Sequence, residues 1–322
     1  MGSLDDLVDR RGTSPLSFLL RYDAPWQAYW RGDGAICYLE APHAAVVWSD
    51  PLCEPREVPA LLREFDAAMR KERRGVCLVA ISDGTARAAL GAKFSALKVG
   101  EEPWFDLTSW RPPRGDPGKK LRWLLNHAVR GGVEVTEHAP AETRGPELTT
   151  DVEAVVERWR ASLGRPESNS FMRTAPLALP ALKRLYVARR NGAAEAVLAC
   201  AHLPATGAWY FEDLVRAPDA LNGATELLVT TALERLRAEG APGAAFALAP
   251  MRGMRDQLDP RARWLGWVLE SVIRRLDRRY GFRAIARYEA RFVPTEWRPR
   301  YVAFRPALPR PAVVRAALRA LA

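Results

Sequence analysis

Residues 208–225 read AWYFEDLVRAPDALNGAT, and this stretch decides the fold. Residues 208–216 are mostly apolar and predict a strand. Pro218 and the Asn222-Gly223 pair then predict a turn. Apolar residues at helical spacing over 223–239, followed by the apolar run 244–249, predict a helix and a further strand. Strand, turn, helix and strand in this order are typical of α/β proteins.

Outward from this unit, the chain divides into two halves of similar pattern. The second half is also predicted to hold helices at 151–162, 178–191 and 263–279 and strands at 194–202, 283–292 and 301–304. The first half is predicted to hold helices at 14–31, 58–73, 84–91 and 119–130 and strands at 35–39, 44–48, 76–81, 95–99 and 104–107. The pattern predicts an α/β fold in which each half is a mixed central sheet flanked by helices.

The length of 322 residues is also typical of two domains. Residues 138–149 contain two prolines and a glycine and are the best candidate for a linker. This predicts an N-terminal domain at 14–137 and a C-terminal domain at 150–308. The remaining residues, 309–322, are predicted to form a short basic amphipathic helix that caps a domain, with membrane anchoring as the alternative.

Composition excludes several classes of protein. Hydrophobic residues make up 48% and charged residues 27% of the chain, which is ordinary for a globular protein and excludes a disordered chain. No apolar window is long enough to span a bilayer and the first residues lack a secretory signal, so we expect a cytoplasmic protein, peripheral at the inner membrane face if it binds lipid. The four cysteines are scattered without a CxxC pair, which indicates neither a metal site nor a disulfide framework.

The charge balance suggests a class of partner. Lys and Arg number 48 against 38 Asp and Glu, a net charge of +10. Such a surplus predicts attraction to polyanions, either nucleic acid or an anionic lipid surface. An arginine-biased composition is the alternative explanation for the abundance of Arg over Lys.

The predicted order of elements resembles the acyltransferases of the GNAT superfamily. In that fold a turn of the type Q/R-x-x-G-x-G/A places backbone amides at a helix N-terminus around the pyrophosphate of coenzyme A. The corresponding turn here, residues 220–225, has one glycine and no leading basic residue. We therefore expect that coenzyme A is not the donor and that the protein uses no cofactor.

Several short segments form an ordered set along the chain. They read WSDP at 48–51, VGEE at 99–102, DL at 106–107, KLR at 120–122, DLVR at 213–216, APM at 249–251 and FVPTEWRPRY at 292–301. Together they resemble the C-terminal catalytic domain of phosphatidylglycerol lysyltransferases and alanyltransferases, the DUF2156 class. The last segment is the strongest element of the resemblance.

The resemblance implies two tandem GNAT-like domains and an activity. Members of this family transfer an aminoacyl group from aminoacyl-tRNA to a lipid hydroxyl, so the expected partners are aminoacyl-tRNA and an anionic lipid or membrane surface, with no metal. Two alternatives from other classes stay open: an acyl-CoA-dependent N-acyltransferase and a non-catalytic relative that binds RNA or anionic membrane. The sequence predicts neither the amino acid nor the oligomeric state.

The resemblance assigns catalytic roles to Asp213, Arg216 and Glu270. Asp213 would recognise the aminoacyl ammonium or act as base, and Arg216 would bind the tRNA terminus or a lipid phosphate. The two lie three residues apart, hence on opposite faces of a regular strand, and a turn at 217–218 would have to bring them together. A structural Asp–Arg pair, and a salt bridge from Glu270 to Arg274, are the alternatives.

Further residues are expected to bind substrate. They are Asn222, Glu226, Glu289, Arg291, Trp297, Arg300 and Tyr301. Glu226 falls in the first turn of a helix, where a capping role is the alternative. Glu289 stands where the family has a lysine, which predicts altered substrate choice or lost activity. The aromatic residues Trp297 and Tyr301 could instead pack the last strand, and Asp50, Glu101 and Glu102 are expected to make interdomain contacts.

Overall fold

The strands of both halves belong to one mixed sheet. The structure, a computed structural model, describes residues 3–164, 174–258, 282–307 and 313. Its strands are β1 Trp26–Arg31, β2 Gly34–Ala41, β3 Ala44–Trp48, β4 Gly75–Ile81, β5 Ser95–Asp106, β6 Val133–His138, β7 Lys183–Arg190, β8 Ala193–Leu203, β9 Ala208–Arg216, β10 Gly243–Phe246, β11 Ala249–Pro250 and β12 Glu296–Arg305. They lie in the order β1-β2-β3-β4-β12-β5-β10-β9-β8-β7-β6, and β11 also pairs with β5.

Helices cover this sheet. They are α1 Leu4–Arg11, α2 Val58–Lys71, α3 Asp83–Gly91, α4 Lys119–Arg130, α5 Pro146–Ser162, α6 Ala224–Ala238 and α7 Phe282–Glu289. Short 3-10 helices occur at Pro15–Arg21, Pro55–Glu57, Pro180–Leu182 and Ala290–Phe292. The predicted fold class, a mixed α/β protein, is therefore confirmed.

The last strand of the described chain belongs to the first half of the sheet. β12 lies between β4 and β5 and is antiparallel to both. Its alternate residues Tyr301 and Ala303 pack with α2 and α3, while Val302 and Phe304 face a second apolar cluster. Because β12 completes the first half and β6 pairs with β7 in the second, the two halves are continuous. The predicted domain limits stay a prediction.

Three local predictions were wrong. Residues 14–31 form a 3-10 helix and β1 instead of one helix, residues 178–191 contain β7 instead of a helix, and residues 283–292 contain α7 instead of a strand. β7 is enclosed between β6 and β8, so tertiary pairing overrides the helical preference of its Leu and Ala residues. The predicted helix 263–279 and the tail 309–322, apart from Val313, lie outside the described residues. No helix among the described residues is long and apolar enough to cross a bilayer.

An interruption of strand pairing positions the candidate site. β10 runs parallel to β9 only as far as the pair Phe246 and Phe211. Beyond this pair, β9 continues to Arg216 with β8 as its neighbour, while the chain leaves β10 and returns as β11 against Gly100 and Glu101 of β5. The edge of β9 from residue 212 onward therefore faces a gap in the sheet.

Candidate functional site

A β-bulge places two acidic residues of β9 on the same side. In the pairing of β8 with β9, Ala199 lies opposite Asp213 while the next residue, Cys200, lies opposite Phe211. Glu212 is the extra residue, and a bulge of this kind redirects a side chain that would otherwise alternate to the other face. Glu212 and Asp213 consequently both approach the ammonium group of Lys183.

Lys183, Glu212, Asp213 and Tyr22 form what we call the Lys183 group. The Lys183 Nζ lies 2.7 Å from Glu212 Oε2 and 4.0 Å from Asp213 Oδ2. It also donates to the Tyr22 hydroxyl at 2.6 Å, and that hydroxyl donates to Glu212 Oε1 at 2.7 Å. The backbone N–H of Ala175 donates to Asp213 Oδ2 at 3.1 Å. One ammonium thus faces two carboxylates of the same strand.

The charged side chains of the Lys183 group are buried, which strengthens the electrostatic interactions between them. The Lys183 side chain is fully buried, that of Glu212 is 6% exposed and that of Asp213 is 11% exposed. Burial, reinforced by the negative charge of Glu212, raises the pKa of Tyr22 far above its usual value, so the phenol stays protonated. In a low-dielectric setting, a carboxylate attracts a cationic ligand more strongly than it would in water.

Tyr210 lies within electrostatic reach of carboxyl groups on both sides of the gap. Its hydroxyl-bearing side chain is buried, and burial raises its pKa. The negative charges of Glu212, Asp213, Glu102 and Glu289 raise it further. Residues of β9, β5 and α7 therefore place four carboxyl groups within electrostatic reach of one phenol.

Glu289 is the least compensated of these carboxyl groups. It ends α7, it is buried, and its Oε2 has no hydrogen-bond partner among the described residues. Burial and the nearby negative charge of Glu102 raise its pKa to about 9, against an opposing effect of Arg252. At neutral pH the side chain is therefore a neutral carboxylic acid, which can donate a hydrogen bond.

Arg300, Glu102 and Asp50 form a second buried cluster, the Arg300 group. The Arg300 guanidinium donates to Glu102 from Nη2 at 2.9 Å and from Nε at 3.1 Å, and its Nη1 lies 3.5 Å from Asp50 Oδ2. Burial opposes the charge of Arg300, but Glu102 and Asp50 overcome this effect and raise its pKa. Asp50 also accepts the N–H and hydroxyl of Ser82 at the start of α3. Arg300 therefore joins β12, β5 and the β3–α2 connection.

The predicted residues around the start of α6 form the third cluster, the α6-start group. The buried Glu226 carboxylate pairs with the Arg291 guanidinium, and it accepts the Thr225 hydroxyl at 3.1 Å. Arg216 donates to the carbonyl oxygen of Ala220 at 3.1 Å, within the turn that contains Asn222. Glu226 is thus an internal ion-pair partner and not an exposed cap.

Asp213 and Arg216 lie on opposite faces of the sheet. Asp213 is opposite Ala199, which packs against α5, whereas Arg216 is opposite Ala196, which packs in the cluster with α4 and α6. Directly opposed residues of an antiparallel pair share a face. The turn after β9 does not bring the two side chains together.

The two aromatic candidates, Trp297 and Tyr301, both contact other residues of the fold. The Arg252 guanidinium stacks on the Trp297 ring at 3.8 Å and contacts Glu101 at 3.0 Å. The Tyr301 hydroxyl donates to Asp83 at 3.0 Å, and its ring packs in the core with α2 and α3. Glu270 lies outside the described residues. No set of residues suited to bind a metal occurs in the described part of the chain.

The structure also identifies residues that the sequence did not. Lys183, Glu212 and Tyr22 were not candidates. Residues 178–191, which contain Lys183, and residues 14–31, which contain Tyr22, were both predicted as helices. The bulge that turns Glu212 toward Lys183 has no local sequence signature. The adjacent acidic pair Glu212-Asp213 inside an apolar strand was the available signal, since buried carboxylates require partners.

Comparisons with known proteins agree with the sequence resemblance. The model of the family described as phosphatidylglycerol lysyltransferase, C-terminal, matches residues 7–304. No curated protein matches the chain.

Three solved structures share the fold. The first is the C-terminal DUF2156 domain of a protein assigned as a lysylphosphatidylglycerol synthetase from Agrobacterium fabrum, with 21% identity, a TM-score of 0.77 and coverage of 99% of this chain and 96% of that one. L-PGS from Bacillus licheniformis has 18% identity, a TM-score of 0.75 and coverage of 94% and 90%. A conserved protein of unknown function from Bacteroides thetaiotaomicron has 14% identity, a TM-score of 0.64 and coverage of 94% and 97%.

Proposed function

We propose, since the chain belongs to the family of phosphatidylglycerol lysyltransferase C-terminal domains, that it transfers an aminoacyl group from aminoacyl-tRNA to phosphatidylglycerol or a similar hydroxyl-bearing lipid. Family membership indicates a transferase. Aminoacyl-tRNA as donor and a hydroxyl-bearing lipid as acceptor are the parts of the proposal that go beyond family membership.

The observation that carries the proposal is the pair of buried carboxylates, Glu212 and Asp213, that the bulge of β9 places together at the gap in the sheet. An aminoacyl ester carries a free α-ammonium group, and lysyl carries a second cation. Two carboxylates, Glu212 and Asp213, lie side by side there, and Asp213 is the one further from the Lys183 ammonium, at 4.0 Å. Charge-assisted hydrogen bonds to a carboxylate are the usual means of binding an ammonium group. An acyl group without a cation would gain nothing from this arrangement.

The transfer requires two proton transfers and the exchange of one ester bond for another. The acceptor hydroxyl oxygen attacks the ester carbonyl, its proton passes to a base, and a tetrahedral oxyanion forms. Collapse breaks the bond to the ribose oxygen, which takes up a proton as the lipid ester remains. Asp213 is suited to the role of base or ammonium ligand. Glu289, protonated at neutral pH, is suited to donate a hydrogen bond to the oxyanion or a proton to the ribose oxygen.

The start of α6 argues against the acyl-CoA alternative. Gly223 has a φ of +97°, and a Cβ there would lie 2.2 Å from the carbonyl oxygen of Leu124. Helix α4 therefore packs directly on the turn that would have to enclose a pyrophosphate. The non-catalytic alternative is left to experiment.

The test uses the purified chain, a pool of charged tRNA and a total lipid extract, with mass spectrometry of the lipids as the readout. We expect an aminoacylated lipid that depends on charging of the tRNA and does not form when acetyl-CoA replaces it. An acylated product formed from acetyl-CoA would favour the N-acyltransferase alternative. No product from either donor, with the chain folded, would favour a non-catalytic protein.

A further inference from the structure

Helix α4 exposes an unusual face. Its buried residues Leu121, Leu124 and Ala128 pack against the sheet and α6. On the outer side, the Trp123 side chain is 59% exposed and Val129 is 59% exposed. The Trp123 ring stacks on the His127 ring with centroids 5.3 Å apart and planes inclined by 4°. An exposed indole has an apolar ring and a polar N–H, which suits it to a surface that is partly apolar and partly wet.

Basic side chains precede and follow Trp123 along α4. Lys119 and Lys120 precede it by one helical turn, Asn126 and His127 follow it by one turn, and Arg130 follows by two. Residues at these spacings share a helix face. Residues 119–130 contain four Lys and Arg residues and no Asp or Glu. The exposed indole therefore lies on a helix whose charged residues are all basic.

Other exposed apolar side chains lie on the same side of the sheet. Tyr288 of α7 and Phe292 of the following 3-10 helix pack in the same core cluster as Leu121 and Ala128 of α4. Next to them, Ile285 of α7 is exposed, and so is Val293. This side thus presents aliphatic groups as well as the indole.

We propose that the outer face of α4, centred on Trp123 and flanked by Lys119, Lys120 and Arg130, is a docking surface for an anionic phospholipid bilayer. Trp is favoured at the level of lipid headgroups, because its ring is apolar and its N–H is polar. Lysines and arginines near an anionic membrane add electrostatic attraction, and a basic helix with an apolar centre lies in the plane of the interface. Aliphatic side chains such as Val129 gain from contact with lipid but cannot stack on RNA bases, which favours a bilayer over RNA.

The position of α4 connects this surface to the α6-start group. Leu124 of α4 contacts Gly223, which begins α6, and Glu226 lies in the following turn. A bilayer bound at the outer face of α4 would therefore lie one helix away from the Glu226–Arg291 pair. The inference that a bound bilayer supplies the lipid acceptor rests on the proposed function. The docking surface itself does not depend on that function.

The test is co-sedimentation of the full chain with vesicles of phosphatidylcholine alone or with phosphatidylglycerol added, in the absence of tRNA. We expect the chain to bind the vesicles that contain phosphatidylglycerol. Lys119→Gln with Lys120→Gln should weaken this binding about tenfold or more, since each such residue contributes roughly fivefold near an anionic surface. Trp123→Ala should weaken it about fivefold. The matched control, Arg63→Gln with Lys71→Gln on the exposed side of α2, removes the same charge and should change binding less than about twofold.

Circular dichroism shows whether each variant is folded, and a tRNA-binding titration and sedimentation velocity accompany the vesicle assay. The proposal is overturned if the wild-type chain does not bind anionic vesicles, or if the control pair weakens binding as much as the α4 pair. It is also overturned if the α4 variants still bind vesicles but no longer bind tRNA. The same holds if these variants still bind vesicles but a dimer of the wild-type chain dissociates. Failure of aminoacyl transfer with vesicle binding intact would contradict the proposed function and leave the docking surface standing.

Discussion

The Lys183 group and the Arg300 group contain the same kinds of charged residue but differ in how closely the cation contacts its carboxylates. Each has one buried cation and two carboxylates from neighbouring elements. The planar fork of Arg300 engages Glu102 through two nitrogens, and the Glu102 side chain is fully buried. The point charge of Lys183 engages Glu212 closely but stays 4.0 Å from Asp213.

This difference separates a structural cluster from a candidate site. A guanidinium whose donors meet two fixed carboxylates joins strands together and has no free capacity for a ligand. Lys183 contacts Glu212 closely and lies 4.0 Å from Asp213, so its ammonium does not hold the Asp213 carboxylate in a fixed hydrogen bond. We therefore expect variants of the Arg300 group to affect stability and variants of the β9 carboxylates to affect activity.

The largest effect is expected from Arg300→Met. Removing the guanidinium leaves Glu102 buried without its partner, which should lower the free energy of unfolding by about 3–5 kcal/mol. Urea denaturation measures this change. Arg300→Met combined with Glu102→Gln should recover part of the loss, because the unpaired charge is gone. Equal stability of Arg300→Met and wild type would show that Arg300 is not a structural residue.

Glu289→Gln tests the neutral carboxyl group near the gap. The folded pKa of about 9 exceeds the ordinary value of 4.5, so the folded chain holds a proton that the unfolded chain releases between these values. Glu289 therefore favours folding at low pH, and this contribution is lost as pH rises toward 9, by about 1 kcal/mol per pH unit. The variant should remove this slope from unfolding free energies measured at several pH values. Glu153→Gln, on the exposed side of α5, should retain it; an unchanged slope in Glu289→Gln would show that Glu289 is ionised.

A smaller effect is expected from Arg216→Lys. The substitution keeps the charge but loses the planar fork that holds Ala220 and could bind a phosphate at the same time. Loss of one such charged hydrogen bond should slow transfer about tenfold. Steady-state kinetics should show the change in the KM for the tRNA or the lipid if Arg216 binds a phosphate. A rate and KM equal to those of wild type would make Arg216 a turn residue only.

Much of the fold could be predicted from the sequence, because it is carried by local patterns. Amphipathic spacing predicted α2, α4 and α6, and apolar runs predicted β3, β4, β8 and β9. β7 was mistaken for a helix because enclosed strands lack the alternation that marks a half-buried strand. The insertion of β12 between β4 and β5 depends on pairing across about 200 residues, which no local pattern records.

The candidate site was less predictable for the same reason. Asp213 was found through a short motif, but its partner Lys183 lies on a strand that was predicted as a helix, and Glu212 faces Lys183 only because of the bulge. The raised pKa of Glu289 arises from burial near Glu102, a residue of the other half. Such properties are set by tertiary contacts, which the spacing of residues in the chain does not contain.

The most direct test is a single-turnover transfer assay that compares Asp213→Asn with Asp50→Asn. Both variants make the same chemical change beside a buried cation, one in each group, and charged tRNA and phosphatidylglycerol are the substrates. The account predicts that Asp213→Asn slows formation of the aminoacylated lipid by about 100-fold or more. Asp50→Asn should stay within about threefold of wild type at a temperature where all chains are folded, because Glu102 still pairs with Arg300. Equal rates for the two variants, or a larger loss in Asp50→Asn, would contradict it.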